Sequence, residues 1–287
     1  MELGIIGCGR TATAVVDRLL AAGHQLRVFA PPTERAEALE AAGAAIADSL
    51  LDACNADAVI TMLPSDRELE KVVLGDGGVA AVMPAASVHI SMSTIGIDLS
   101  RRLTEVHARR VQRYLSAPVI GLPHSTAGGE ICIFVAGRAD TVSRCNRLFD
   151  VMGDRRIQVG EDPAEANLLH LCALGLIGSL VQSLREATFL ADKGGIAPER
   201  FLALVSQSAS AKPLFASYGN LIGARTSYAT VTVEQGREQA RLLADAANIL
   251  GAQTPLMRLV RAQLDALANH GLGGQGWMNL PEDDRHH

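Results

Sequence analysis

The sequence predicts an α/β protein with a doubly wound N-terminal sheet, a long interdomain helix and an all-α C-terminal domain. Three observations support this fold class. Short apolar strands alternate with helical patterns through the first half of the chain. One helical pattern then continues without a break over residues 162–193, and only helical patterns follow it. Alternating strands and helices are typical of parallel sheets, whereas the helical remainder indicates a separate domain.

The first half consists of strands separated by helices. Leu3–Ile6 is a short apolar strand, and the helical spacing of the apolar residues after it lasts until Gly23. Later strands are predicted at Leu26–Phe29, Ala44–Ile46, Ala58–Ile60 and Val88–Ile90, and later helices at 33–42, 65–74 and 98–112. Strands joined by helices pair in parallel, so we expect a doubly wound sheet.

A glycine turn between the first strand and the first helix fits the pattern G-x-G-x-x-A. In a dinucleotide site Gly7 allows the tight turn, Gly9 lets the backbone approach a pyrophosphate, and Ala12 lets helix and strand pack closely. Free amides at the helix start attract the phosphates. The turn predicts a Rossmann-type dinucleotide site made of Gly7, Cys8, Gly9, Arg10, Thr11 and Ala12. A tight turn in another α/β fold is the alternative.

The end of the second strand bears on cofactor choice, because NAD enzymes usually place an acid there on the ribose 2′-hydroxyl. No acid follows Phe29 directly, and the adjoining cofactor-binding candidates are Ala30, Pro31, Thr33 and Arg35. Thr33, the following helix amides and Arg35 are suited to a 2′-phosphate, which favours NADP(H) over NAD(H). The alternative for Arg35 is an ordinary solvated helix residue.

The helix from Pro163 to Lys193 begins with a strong start signal and ends at a glycine pair. Asp162 is the expected N-cap, and Glu165 occupies the capping-box position. About 30 residues correspond to a helix of about 45 Å. Residues 168–181 are apolar on every face, so the helix must be covered all round. A membrane span is disfavoured because the apolar run is short, contains His170 and lacks a basic flank.

The C-terminal domain is predicted to be entirely helical. Its helices are expected at about 198–208, 212–223, 232–250 and 254–270. The predicted organisation is a nucleotide-binding domain at 1–161, an interdomain helix at 162–193, and a substrate and dimerisation domain at 194–287. We expect a homodimer, since one small chain has too little surface of its own to bury every face of so apolar a helix.

Composition excludes several classes of protein. A net charge of −5 and 3% aromatic residues give neither the basic surface nor the stacking platforms of a nucleic-acid-binding protein. Five scattered cysteines form no zinc or disulfide pattern, and the histidines lack metal-ligand spacing. With no secretion signal at Met1, we expect a cytoplasmic protein that binds a small molecule, without metal, nucleic acid or membrane.

Several ordered motifs carry a family resemblance. They are Gly7-Cys8-Gly9, Thr61-Met62-Leu63-Pro64-Ser65, Ser91-Met92-Ser93-Thr94-Ile95, Ser116-Ala117-Pro118-Val119-Ile120-Gly121 and the long helix. Together they resemble the β-hydroxyacid dehydrogenase superfamily, which includes imine reductases and the 6-phosphogluconate dehydrogenase-type nucleotide domain. The resemblance covers nearly the whole chain. It implies a dimer that shapes its active site by exchanging helical elements.

The resemblance also implies site residues. Met62, Leu63 and Pro64 would line the adenosine and ribose path, and Ser93 and Thr94 would lie by the nicotinamide and the substrate. The predicted substrate-binding set is Ser93, Ile120, Gly121, Leu122, His170 and Leu174. Ile120 replaces the second serine usual in the family, which removes one polar contact.

The largest departures from the family pattern lie on the helices. His170 occupies the position of the catalytic lysine, and Leu174 occupies that of the asparagine one turn later. Glu238-Gln239 replaces a Lys–Asp pair on a later helix. Imine reductases of this superfamily have also lost the lysine, because an iminium brings its own positive charge. The departures therefore favour an imine or an uncharged carbonyl substrate.

The sequence supports the hypothesis of an NADPH-preferring reductase that transfers hydride to a C=N or C=O carbon. His170 is the candidate acid, Ser93 positions substrate, and Asn167 either orients the imidazole or satisfies a buried polar contact. A packed structural His170 remains an alternative, and His124 is a second candidate donor. Two other functions remain open: a β-hydroxyacid or semialdehyde dehydrogenase with histidine in place of lysine, and a catalytically silent nucleotide-binding protein.

Overall fold

The computed structural model describes residues 1–121, 131–205, 207 and 231–277, apart from the side chain of Arg10. Leu122, His124, the helix expected at 212–223 and the end of the helix expected at 198–208 lie outside these ranges. Two compact units make up the chain, residues 1–171 and residues 172–287. Their boundary falls inside the long helix.

The first unit is built on a sheet whose first six strands are parallel. These strands are β1 (Glu2–Ile6), β2 (Gln25–Phe29), β3 (Ala45–Ile46), β4 (Ala58–Thr61), β5 (Val88–Ser91) and β6 (Arg113–Ser116). They lie in the order β3-β2-β1-β4-β5-β6, with register pairs such as Ile5 with Val28 and with Ile60. Crossing from β3 back to β1 and then outward to β6 confirms the predicted doubly wound fold.

Three further strands extend the sheet beyond β6. They are β7 (Val119–Gly121), β8 (Ile131–Ala136) and β9 (Arg155–Gly160). Strand β8 is antiparallel to both β6 and β7, and β9 pairs with β8 in parallel. This extension places Ile120 and Gly121 on β7, at the end of the strand order.

The described residues of the first unit, 1–121 and 131–171, form seven helices before the long helix begins. They are α1 (Arg10–Ala21), α2 (Glu34–Ala41), α3 (Leu50–Cys54), α4 (Asp66–Leu74), α5 (Val79–Val82), α6 (Ile97–Arg109) and α7 (Ala139–Met152). Two apolar clusters cover the sheet, one including Val15 and Phe149 and the other including Leu69 and Leu103. Each fully buried side chain of this size contributes about 1.5–3 kcal/mol, so the clusters fix the strand ends that carry the loops.

The long helix α8 runs from Pro163 to Lys193, as predicted. The Asp162 carboxylate accepts a hydrogen bond from the Ala164 amide at 3.0 Å, which confirms Asp162 as the cap. By length and composition α8 is apolar enough to cross a membrane. In the second unit, however, Gln182 donates to Glu186 at 2.9 Å, and Glu186 also accepts from Gln263 at 3.5 Å. These polar contacts are those of a core helix in a helical domain.

The described part of the second unit contains α8 from Cys172 onward and three further helices. These are α9 (Pro198–Val205), α10 (Val233–Leu250) and α11 (Pro255–Leu267), followed by a π-helical turn at Ala268–Leu272. Thr232 and Gln235 form a capping box at the start of α10. Val181, Val260 and Trp277 belong to the cluster on which α8, α10 and α11 pack. The helical C-terminal domain is thereby confirmed.

Candidate active site

The glycine turn after β1 has the conformation that a tight nucleotide-binding turn requires. Gly7 has φ +112°, in the region that side-chain-bearing residues rarely adopt, and its amide donates to the Phe29 carbonyl at 3.0 Å. A Cβ atom at Gly7 would lie 2.2 Å from the Met62 carbonyl oxygen. Only glycine fits there, because the turn packs directly against the chain after β4.

The N-terminus of α1 is open to an anion. Gly9 is its N-cap, no side chain caps the first amides, and the first turn contains no acidic residue. A Cβ atom built on Gly9 meets no atom within 4 Å, so the backbone there is accessible, while Ala12 is buried against the sheet. Uncapped amides and the helix dipole suit a pyrophosphate. These residues fit a dinucleotide.

The predicted cofactor residues after β2 lie in the connection to α2 and at the start of that helix. Thr33 caps α2 by accepting from the Ala36 amide at 3.3 Å, and its Oγ1 lies 3.6 Å from the Cys8 Sγ. This contact brings the loop after β2 beside the glycine turn. Ala30 is half-buried, whereas Pro31 and Arg35 are exposed. The first acid after β2 is Glu34, which opens α2 rather than ending the strand.

Ser93 is tied to the backbone of the neighbouring loop. Its Oγ accepts from the Leu63 amide at 2.8 Å and donates to the Thr61 carbonyl at 3.4 Å, and the side chain is buried. Ser93 therefore braces the loop that contains Met62, Leu63 and Pro64. Thr94, the next residue, is half-buried. Contact between Ser93 and a substrate stays a prediction.

His170 is a buried histidine on α8. Its side chain is only 2% exposed, and its ring centroid lies 6.4 Å from that of Phe134 on β8. Burial lowers the pKa of His170 to about 4, although a hydrogen bond with the Val119 backbone opposes the shift. The Nδ1 atom has no hydrogen-bond partner. His170 is thus a neutral imidazole with one uncommitted nitrogen, next to the strand that carries Ile120.

Asn167, one turn before His170, forms a hydrogen bond with a strand of the sheet. Its Oδ1 accepts a 2.6 Å hydrogen bond from Ser116 at the end of β6, and both side chains are fully buried. Its Nδ2 is buried without a partner. Of the two roles expected for Asn167, the described contacts favour the buried polar contact over orientation of the imidazole.

Two other positions singled out from the sequence belong to the second unit. Leu174 is a half-buried residue of the second unit. Glu238 accepts two hydrogen bonds from Arg241, at 2.7 and 2.8 Å, and this partner lowers the pKa of the Glu238 carboxyl. Within the described ranges no three His, Cys, Asp or Glu side chains are grouped as metal ligands.

Sequence reasoning missed two buried polar groups. One is Ser116, whose role became visible only when β6 was placed beside α8. The other is the pair His89 and His107, whose ring nitrogens lie 2.8 Å apart. A histidine between two apolar residues of a central strand was the available signal for His89. The partner on α6 could not be read from sequence spacing.

Comparisons with known proteins agree with this geometry. Residues 2–160 match the NAD binding domain of 6-phosphogluconate dehydrogenase, and residues 162–285 match the NADPH-dependent reductive aminase-like C-terminal domain. The fold and the nucleotide-binding turn define an NAD(P)-dependent oxidoreductase. The chain belongs to the β-hydroxyacid dehydrogenase superfamily, which confirms the resemblance carried by its motifs.

Two curated relatives are similar over much or all of the chain. An uncharacterized oxidoreductase of Bacillus subtilis is 29% identical over 98% of this chain and 98% of its own length. A 3-hydroxyisobutyrate dehydrogenase of Pseudomonas aeruginosa is 30% identical over 72% of this chain and 70% of its own.

Two solved structures share the fold. A 3-hydroxyisobutyrate dehydrogenase from Salmonella typhimurium superposes with a TM-score of 0.87 at 21% identity, covering 97% of this chain and 98% of its own. An imine reductase from Myxococcus stipitatus in complex with NADP+ gives 0.67 at 16% identity, covering 97% and 98%. At such identities the likeness shows the fold alone.

Proposed function

We propose that this protein is an NADPH-preferring reductase that transfers hydride to the C=N carbon of a small imine. The observation that carries the proposal is the neutral, buried His170 in the place of the family's lysine. With a pKa of about 4, only about one molecule in a thousand carries a protonated His170 at pH 7. The residue is therefore a hydrogen-bond acceptor or base rather than the acid that the sequence suggested.

A neutral His170 suits an iminium better than a carbonyl. When bound, the nicotinamide supplies a hydride, which carries two electrons to the substrate carbon. A carbonyl oxygen must also gain a proton when its double bond becomes single, whereas an iminium nitrogen already carries its proton. In the proposed complex the Nδ1 of His170, which is buried and unpartnered in this structure, accepts the iminium N–H without repelling the positive charge. An ammonium group at this position would oppose that charge.

The preference for NADPH rests on the loop after β2. Thr33 and the exposed Arg35 follow β2 closely in sequence and are suited to a 2′-phosphate, and no acid ends the strand. Titration with NADPH and with NADH, followed by cofactor fluorescence, tests this preference. Tighter binding of NADPH supports it. Tighter binding of NADH refutes the preference, and binding of neither refutes the oxidoreductase.

Substrate class is tested by comparing turnover of cyclic imines with that of semialdehydes and of 2-keto and 3-keto acids. We expect the imines to have the higher kcat/KM. In His170→Phe, which keeps the ring volume and loses the acceptor, we expect kcat/KM for imines to fall about tenfold or more, as for loss of a hydrogen bond to a charged group. His270→Gln, on an exposed turn, is the matched control.

A second candidate is a β-hydroxyacid dehydrogenase in which His170 acts as a base in the oxidative direction. The 30% identical 3-hydroxyisobutyrate dehydrogenase favours it. A neutral imidazole can accept the hydroxyl proton of an alcohol as hydride leaves its carbon. Faster oxidation of 3-hydroxy acids than reduction of imines would select this candidate. Turnover of neither class, with cofactor binding intact, would select the silent nucleotide-binding protein.

We also propose that the protein is a homodimer with exchanged helices. On α8, Leu169, Leu176 and Leu190 have 39%, 70% and 74% of their surface exposed. Their separations of seven and fourteen residues put them on one side of the helix. A second copy of the chain is the partner that the sequence predicts for this stripe.

A further inference from the structure

A line of buried hydrogen bonds leads from α6 to the end of β4. Gln112 Oε1 lies 2.9 Å from His107 Nδ1, His107 Nε2 lies 2.8 Å from His89 Nδ1, and His89 Nε2 lies 3.0 Å from Thr61 Oγ1. Thr61, His89 and His107 have no exposed surface. Tyr114 stacks on the His107 ring at 5.3 Å between centroids. The side chains are therefore held in one arrangement.

The direction of these hydrogen bonds follows from Gln112. Its amide nitrogen donates to two backbone carbonyls, those of Ala80 at 3.2 Å and Met83 at 2.8 Å, so its oxygen must face His107 as an acceptor. His107 then donates from Nδ1 and accepts at Nε2. His89 in turn donates from Nδ1 and accepts at Nε2, which leaves the Thr61 hydroxyl as the final donor. Both histidines are neutral Nδ1–H tautomers.

Thr61 connects this line to the turn that receives the cofactor. Its carbonyl accepts from the Met92 amide at 2.9 Å and from Ser93 Oγ, which in turn accepts from the Leu63 amide. The carbonyl of the next residue, Met62, lies against Gly7. A shift of Thr61 would consequently move the loop after β4 and press on the glycine turn.

We propose that Gln112, His107 and His89 are positioning residues that hold Thr61, and through it the loop 61–64, in place for the nucleotide cofactor. The proposal rests on the proposed cofactor role of that loop. Each residue from Thr61 to Gln112 donates a hydrogen bond to the next or accepts the last one. Removing any of these side chains therefore leaves a buried donor or acceptor unpaired beneath the loop. None of these side chains is required to touch the cofactor.

The tautomers provide the first test. A long-range proton–nitrogen correlation spectrum of the histidine-labelled holoprotein distinguishes Nδ1–H from Nε2–H rings. We expect His89 and His107, assigned by single substitution, both to carry the proton on Nδ1. An Nε2–H tautomer at either residue would overturn the one-way arrangement.

Cofactor binding provides the second test. We expect Thr61→Val to weaken NADPH binding about fivefold, as for one net hydrogen bond, with kcat nearly unchanged. Thr61→Ser keeps the hydroxyl and should restore the Kd. Thr104→Val is the control, because Thr104 donates only to the Ser100 carbonyl within its own helix.

The outcomes separate this inference from the proposed function. If Thr61→Val changes only the urea midpoint and leaves the NADPH Kd equal to that of Thr104→Val, the positioning role is wrong while the oxidoreductase stands. If the unaltered protein binds neither NADPH nor NADH, the proposed function fails and the positioning role fails with it. A raised Kd that Thr61→Ser restores supports both.

Discussion

Gly7 and Gly9 are two glycines of one turn with different reasons for being glycine. Gly7 has φ +112° and its absent Cβ would overlap the Met62 carbonyl, whereas Gly9 has ordinary φ and open space around it. Gly7 is therefore required by the fold of the turn. Gly9 is required only if a ligand approaches the backbone closely.

Alanine substitution separates these two roles. Gly7→Ala should lower the free energy of unfolding by about 1–3 kcal/mol, the cost of a strained backbone conformation, and should also weaken cofactor binding. Gly9→Ala should keep the stability and lose most cofactor binding, because its methyl group enters the pyrophosphate path. Urea unfolding and NADPH titration measure the two effects. Full cofactor affinity in Gly9→Ala would contradict the placement of the pyrophosphate.

Three buried histidines make the protein sensitive to acid. Burial lowers the pKa of His107 and of His170 to about 4, and that of His89 well below its ordinary value. The unfolded chain binds protons below about pH 6.5 that the folded protein excludes down to about pH 4. The stability contributed by these neutral rings is thus complete above pH 6.5 and falls as the pH decreases toward 4, by roughly 3 kcal/mol each for His107 and His170.

Urea unfolding between pH 4 and pH 7 tests the contribution of His170. His170→Phe should reduce the slope of unfolding free energy against pH by as much as about 1.4 kcal/mol per pH unit, the effect of one proton. Thr104→Val, which removes no ionisable group, should leave the slope unchanged. An unaltered slope in His170→Phe would show that the imidazole takes up its proton as readily in the folded protein as in the unfolded chain.

At the scale of elements, the sequence predicted the parallel strands β1–β5 and the long helix well. Their apolar runs are bounded by glycine turns, caps and polar loops that identify them locally. Strands β6 and β9 begin with arginine, and β9 is largely exposed, so neither has the apolar pattern of a buried strand. They form because β5 and β8 offer unpaired edges. Those edges exist only in the folded sheet, so the local sequence does not reveal the two strands. The Ser116–Asn167 contact could not be predicted from the sequence for the same reason.

The Ser116–Asn167 hydrogen bond connects β6 to α8. Ser116→Ala would leave the buried Asn167 oxygen without its donor, in addition to the Nδ2 atom that already lacks a partner. We expect the free energy of unfolding to fall by about 1–3 kcal/mol, the cost of an unsatisfied buried polar group. Thermal or urea unfolding measures it. The double substitution Ser116→Ala with Asn167→Leu should recover part of the loss, and failure of Ser116→Ala to destabilise would contradict the assignment.

At the scale of the whole molecule, a positive mean hydropathy of +0.18 means that many apolar side chains must be covered. Two clusters around the sheet and one in the second unit account for many of them. The exposed leucines of α8 remain, and they motivate the proposed dimer. Light scattering at micromolar concentration should give twice the chain mass of 30.2 kDa. Leu176→Glu should shift the protein toward monomer, and a monomeric unaltered protein would refute the dimer.

The central claim is that a neutral histidine in place of the family's lysine directs this reductase to imines. The most direct measurement is kcat/KM with NADPH for a cyclic imine and for a carboxylate-bearing aldehyde, in the unaltered protein and in His170→Lys. The account predicts that the unaltered protein prefers the imine and that His170→Lys reduces this preference at least tenfold, because an ammonium repels the iminium and attracts the carboxylate. Preference for the carboxylate-bearing aldehyde by the unaltered protein would contradict it.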